Sequence, residues 1–252
     1  MNRLLERIGR RLSAHLTRQV HVHSTSPAAD LVRLRKALRP ADVLLVEGSS
    51  RISTAIKYLT QSTWSHAALY VGDAMKLGQR DGQPREFVEA DVREGVRAVT
   101  IQAFDGLHCR ICRPINLSPD DTARVINFAI DRIGHQYDLK NLFDLARYLI
   151  PTPPVPSRWR RRMIALGSGD PTKAICSSLI AQAFESVRYP VLPDVATVSA
   201  SRVDCPDCVA EILAVRHHSL FVPRDFDVSP YFAVVKPSLI DEFNYRSLTW
   251  AA

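Results

Sequence analysis

The 252-residue sequence predicts an α+β fold, and three observations carry that expectation. Short apolar segments at 63–71, 86–92 and 96–101 follow one another closely. They lack the βαβ alternation that builds a parallel sheet. A separate helix reads from 174–187, AICSSLIAQAFESV, where Leu179, Ile180, Ala183, Phe184 and Val187 recur at helical spacing. That helix begins at a cysteine, Cys176, after a run rich in Gly, Pro and Asp that favours no helix.

The elements follow in order. Leu4, Leu5, Ile8, Leu12 and Leu16 form an apolar stripe along a basic amphipathic helix, and AADLVRLRKAL is a second short helix that Pro40 ends. Residues 42–47, DVLLVE, form a strand with an apolar centre. A Gly/Ser turn leads into a helix with Ile52, Ala55, Ile56 and Leu59 on one side. The strand at 63–71 puts His66, Ala68 and Tyr70 on one face and Ala67, Leu69 and Val71 on the other. After a long Gly-containing loop, two strands flank Gly95. CRICRPI adds a strand. SPDDTARVINFAIDRIG then carries an N-cap serine (Ser118), a first-turn proline and an acidic first turn, with Gly134 at its stop. A helix follows Tyr137 and Asp138. Residues 151–173 read as an insertion or lid, 188–209 as largely loop, PRDF at 223–226 as a turn or short helix, and 232–236 as a last strand.

Composition narrows the function. With 46% hydrophobic and 23% charged residues the chain suits one large domain or two small ones, and no internal repeat or linker divides it. No run approaches the ~18 apolar residues of a membrane span. The basic start lacks the apolar core and cleavage site of a secretory signal, so a cytoplasmic location is expected. Net charge is +7, with nine Lys or Arg against two acids in residues 1–39 and a second cluster at Arg158, Arg160, Arg161 and Arg162. A solvated face explains these patches, and an anionic membrane surface is the alternative partner. No zinc-finger, RNA-recognition or helix-turn-helix pattern supports a specific nucleic-acid partner. Five cysteines include the pairs Cys109/Cys112 and Cys205/Cys208. Four thiolates could hold zinc, but residues three apart on a strand point to opposite faces, so ordinary reduced cysteines are the expectation.

Cys176 and His66 are the candidate nucleophile and base. A cysteine at a helix N-terminus meets unpaired N–H groups that favour a thiolate and can hold an oxyanion. A nucleophilic thiol needs an imidazole within hydrogen-bonding reach. Glu89, with its apolar neighbours Val88 and Ala90, is the candidate orienting carboxylate, ahead of Asp91 and Glu86.

Taken together, RPADVLLVEG, STWSHAALYVG, VEADVREGV, YD, ICSSLIAQAF and SLFVPRDFDVSPYF resemble the circularly permuted papain-like hydrolases of the NlpC-type superfamily, in the YiiX/YaeF-like branch. The histidine strand precedes the cysteine helix, the permuted order. The resemblance implies a permuted papain-like fold, with a small antiparallel sheet packed against the cysteine-bearing helix. It implies a helical N-terminal extension at 1–38 and a catalytic domain at 39–252. It matches Cys176 to the nucleophile, His66 to the base and Glu89 to the third polar residue. Tyr137, and Trp64 of the W-S-H element, fall on the substrate side. The implied activity is cysteine-dependent hydrolysis or acyl transfer at an amide, through an acyl-enzyme. A lipid ester substrate and a non-catalytic membrane-associated module are the alternatives. No metal or organic cofactor is required.

Overall fold

A computed structural model describes residue 18 and residues 28–75, 84–91, 94–135, 175–199, 209–214, 216 and 221–236. The first described element is helix α1 (Leu31–Ala37), capped by Asp30, whose carboxylate accepts from the Val32 and Arg33 N–H groups. Strand β1 (Val43–Glu47) and helix α2 (Arg51–Thr60) follow. The α2 cap is Ser50, and Gln61 ends the helix in the left-handed region at φ +50°. Strands β2 (His66–Tyr70), β3 (Phe87–Asp91), β4 (Gly95–Val99) and β5 (His108–Pro114) come next. Helix α3 (Pro119–Ile130), the cysteine helix α4 (Ile175–Glu185), strands β6 (Asp194–Ser199) and β7 (Val209–Ala214), helix α5 (Pro223–Val228) and strand β8 (Phe232–Val235) complete the order.

Six strands form one sheet in the order β4-β3-β2-β1-β5-β8, every neighbouring pair antiparallel. β1 lies inside it, and its residues Val43, Leu44, Leu45 and Val46 are at most 2% exposed. An antiparallel strand that reads as a continuous apolar run, rather than alternating, needs cover on both faces. One face packs Leu45, Leu69, Val88 and Val96 with Val125 and Ile126 of α3 and with Leu179, Ile180 and Phe184 of α4. The other packs Leu44, Val46, Ala68, Phe87 and Ile111 with Leu34 and Ala37 of α1 and with Ile101 and Phe104. Helix α4 is buried all round, since Leu179, Ile180, Ala181, Ala183 and Phe184 are each at most 1% exposed. The fold is α+β.

The sequence expectations hold for most elements, and the Ser118 cap is formed: its hydroxyl accepts from the Asp121 N–H at 3.1 Å. Two expectations change. Residues 188–209 are not simply loop, because 194–199 pairs in antiparallel register with 209–214, Asp194 opposite Ala214. Val and Thr in DVATVS carry strand character that the flanking Pro, Ser and Asp residues obscure. The strand expected at 96–101 stops at Val99, and Ile101–Phe104 turns into a 3₁₀ helix that plugs the α1 side of the sheet. The amphipathic stripe at 4–16, the arginine cluster at 158–162, Tyr137 with the helix after it, the 151–173 segment and the Cys205/Cys208 pair lie outside the described residues.

One buried ion pair braces the sheet against α1. Asp42 is fully buried, and its two oxygens accept from Arg113 Nε at 2.9 Å and Nη2 at 2.7 Å. It also accepts from the Arg39 N–H, while Arg113 donates to the Ala37 carbonyl at the end of α1. Burial raises the Asp42 pKa, against the pull of Arg113. Removing one member of a buried pair leaves the other charge uncompensated. Asp42→Ala should therefore cost about 3–5 kcal/mol in urea unfolding, against about 1 kcal/mol for the exposed cap variant Ser118→Ala.

Candidate functional site

Strand register places the polar residues of the site. Ala68 stands opposite Glu89, and Glu89 stands opposite Arg97. His66, two residues before Ala68, is therefore a diagonal neighbour of Glu89 on the same face. The His66 Nε2 lies 2.7 Å from Glu89 Oε2. The second oxygen, Oε1, accepts from Arg97 Nε at 2.9 Å and Nη2 at 2.7 Å. Glu89 is 4% exposed, so this carboxylate is held inside the sheet between a guanidinium and an imidazole. Arg97 also reaches Glu94 at 3.0 Å and Asp91 at 3.8 Å. Asp91 thus belongs to the arginine's rim, and Glu86, the other rival, pairs with Arg35 at 3.1 Å.

Cys176 is the second residue of α4 and is 5% exposed, packed against Val222 at the start of α5. The neighbouring Ser177 fixes the helix start by donating to the Phe221 carbonyl at 2.7 Å. His66 opens β2, at the end of the sheet, close enough to Cys176 for the sulfur to raise the imidazole's pKa. With Nε2 engaged by Glu89, the imidazole nitrogen left for the thiol is Nδ1. The entry to β2 is fixed too. Ser65 is buried, donates its N–H to the Val46 carbonyl at 3.1 Å, and accepts from the Gly48 N–H through its hydroxyl at 2.9 Å. A side chain at Gly48 would collide with Ser53 Oγ, at 2.3 Å from its Cβ, and crowd Ser65 Oγ at 3.0 Å.

The charges are set by opposing effects. Burial favours neutral His66, but the Glu89 carboxylate and Cys176 outweigh it and raise the imidazole pKa well above its ordinary value. Burial also pushes Glu89 up, yet His66 and Arg97 together bring it down to about 2. At neutral pH this is an imidazolium donating to a carboxylate. Burial alone pushes the Cys109 thiol up to about 12, and burial with the Asp227 and Asp42 charges, against the pull of Arg110, raises Cys112 as well. Both are free thiols, and Cys109 packs on the α1 side of the sheet while Cys112 packs on the α4 side. Among the described residues no group of three or more His, Cys, Asp or Glu side chains is placed to hold a metal ion.

Trp64 was expected at the substrate side. Its ring is buried, stacks on His108 with centroids 5.1 Å apart, and lies under the Arg110 guanidinium at 4.9 Å. Its indole N–H donates to Asp227 at 3.0 Å. Trp64 is thereby a wall of a pocket of about 390 Å³ formed with Arg110 of β5 and Arg224 and Asp227 of α5. Sequence reasoning missed Arg97 and this α5 cluster. Counting the β3–β4 register from the Gly95 turn would have placed Arg97 opposite Glu89. Nothing local in sequence joins Asp227 to Trp64 across 163 positions.

No family model matches the sequence, and no curated protein matches it. Among solved structures the chain is similar to the metalloprotein yiiX from Escherichia coli O157:H7, DUF1105. The two are 15% identical, the match covers 79% of this chain and 97% of that one, and the TM-score is 0.46. The described elements, with a six-stranded antiparallel sheet and the histidine strand ahead of the cysteine helix, are consistent with a permuted papain-like architecture.

The two shifted groups make opposite contributions to stability with pH. Glu89, depressed in the folded state, stabilises above its unfolded value of 4.5 and loses that contribution as pH falls through about 2. His66, raised in the folded state, stabilises below its ordinary value of 6.5 and loses that contribution as pH rises through the raised one. Urea unfolding of wild type and Glu89→Gln across this acid range should show a stability gap on the order of 3 kcal/mol at neutral pH. The gap should close as the wild-type carboxylate protonates.

Proposed function

We propose that this chain is a cysteine-dependent hydrolase or acyltransferase that cleaves an amide, peptide-like, isopeptide or N-acyl, through an acyl-enzyme. The observation that carries the reading is an imidazole held at one nitrogen by a buried carboxylate, 2.7 Å away, beside a cysteine at the start of a helix that is close enough to raise the imidazole's pKa. Cys176 is the nucleophile, His66 the base and Glu89 the group that fixes the ring and stabilises its charged form. Arg97 is a positioning residue, because it anchors Glu89 and touches no reacting atom.

Before attack the proton of the Cys176 thiol resides on His66 as imidazolium, and the Cys176 thiolate attacks the carbonyl carbon. The backbone N–H of Cys176, at the first turn of an 11-residue helix, supports the developing oxyanion. Collapse breaks the bond to the leaving amine, which departs with the proton carried by His66, and leaves a thioester on Cys176. Water, deprotonated by His66, then attacks the thioester and releases the acid and the thiol. An acceptor amine or alcohol in place of water gives acyl transfer. The similar structure is titled a metalloprotein, but the described donors of this chain do not fit a metal site, and no step runs through one.

A lipid ester or N-acyl lipid is the second substrate class, favoured by the apolar stripe and nine basic residues in 1–39. The same feature supports peripheral contact with an anionic membrane from the cytoplasm. Incubation with a p-nitrophenyl ester, followed by rapid acid quench and mass analysis, should find the acyl group on Cys176. Cys176→Ala should lose the adduct and at least about 10³-fold in turnover, and His66→Ala about 10²–10⁴-fold, with unfolding transitions retained. Turnover that survives Cys176→Ala would overturn the nucleophile assignment, and a wild type with neither adduct nor turnover would leave the scaffold as a binding module.

A further inference from the structure

We propose that the pocket between β5, α5 and the turn after α2 binds an oxyanion, carboxylate or phosphate, carried by the substrate. The link to substrate rests on the thiol reading above; the anion site itself does not. The pocket has a volume of about 390 Å³, enough for a charged group of a few atoms, and its walls are polar. Gln61, Ser62 and Thr63 supply hydroxyl and amide donors from the turn, and Arg110 and Arg224 supply guanidinium groups.

The charge balance selects an anion. Asp227 is the acid among the lining residues, and its carboxylate is already satisfied. It accepts from Arg110 Nη1 at 2.7 and 2.9 Å and from the Trp64 indole at 3.0 Å. The nearest other acid on α5, Asp225, is turned inward. It accepts from the Val222 N–H at 2.9 Å and lies 3.8 Å from Arg216. Arg224 is exposed, and it donates from Nη1 to the Thr60 carbonyl at 3.3 Å. Its guanidinium thus adds a positive charge that no carboxylate within salt-bridge distance matches among the described residues. A guanidinium beside hydroxyl donors is the arrangement that recognises a carboxylate or phosphate.

Position ties the pocket to the thiol. Val222, at the head of α5, packs on Cys176, and Arg224, Asp227 and Val228 of the same helix line the pocket. Trp64, another wall, stands two residues before His66. On this proposal a substrate whose anionic end sits on Arg224 presents its scissile carbonyl along α5, toward Val222 and the sulfur packed on it.

The binding test uses the full chain with Trp159 and Trp250 changed to Phe, so that Trp64 fluorescence reports the pocket. Inorganic phosphate and acetate are titrated against chloride at constant ionic strength. A saturable change with phosphate or acetate but not chloride is expected, retained in Cys176→Ala and weakened about tenfold in Arg224→Gln. Tighter phosphate identifies a phosphate-bearing substrate, and tighter acetate a carboxylate-bearing one. No saturable change, or equal binding by Arg224→Gln, overturns the anion site. The kinetic test compares kcat/KM for two p-nitrophenyl esters that differ only in a terminal carboxylate or carboxamide. Wild type should prefer the carboxylate, chiefly through KM, and Arg224→Gln should erase the preference. Anion binding that persists while Cys176 fails to acylate overturns the substrate link and the thiol reading, but not the anion site.

Discussion

The site depends on one buried carboxylate. Glu89 is nearly inaccessible to water, and an unpaired charge there would be costly. It remains ionised because Arg97 takes one oxygen in a two-bond clamp and His66 takes the other. The three residues come from adjacent strands on one face, so the antiparallel ladder itself sets their spacing. His66 cannot turn away from the thiol without giving up a 2.7 Å bond to a fixed acceptor. A surface carboxylate would not impose this, since solvent would replace it at little cost.

The rest of the fold keeps that ladder rigid. β1, covered on both faces, holds β2 in register on one side and β5 on the other. The all-round burial of α4 sets the position of Cys176 through packing rather than through charge. The helix end is then tied by Ser177 to the Phe221 carbonyl, immediately before the segment that also carries Arg224 and Asp227. Cys176, His66 and the pocket are thus coupled through short connections, not through a long hinge.

Much of this was legible in the sequence, for physical reasons that can be named. Period-two alternation in HAALY and FVEAD placed His66 and Glu89 each on a strand, and the apolar flanks of Glu89 marked it as interior. The helical spacing of Leu179, Ile180, Ala183 and Phe184 put Cys176 at a helix start. The strand geometry of CRICRPI separated Cys109 from Cys112 onto two faces, as the structure has it. Long-range partners were not legible. Trp64 gave no hint that its indole meets Asp227 or that Arg110 lies over it. Periodicity reports which face a residue occupies but not what the opposite element brings to it. The β6–β7 pairing was missed for a local reason, because the Pro, Ser and Asp residues that flank DVATVS obscure its strand character.

The central claim is that His66 activates Cys176, and it is tested most directly by the rate of Cys176 alkylation by iodoacetamide as a function of pH. Wild type and His66→Ala are compared with Cys109, Cys112, Cys205 and Cys208 replaced. The account predicts that wild type remains reactive down to about pH 6, where an ordinary thiol is almost wholly protonated, and that His66→Ala loses at least about tenfold of that rate. Equal, slow alkylation of both proteins at that pH, rising only as a free thiol does, would contradict it.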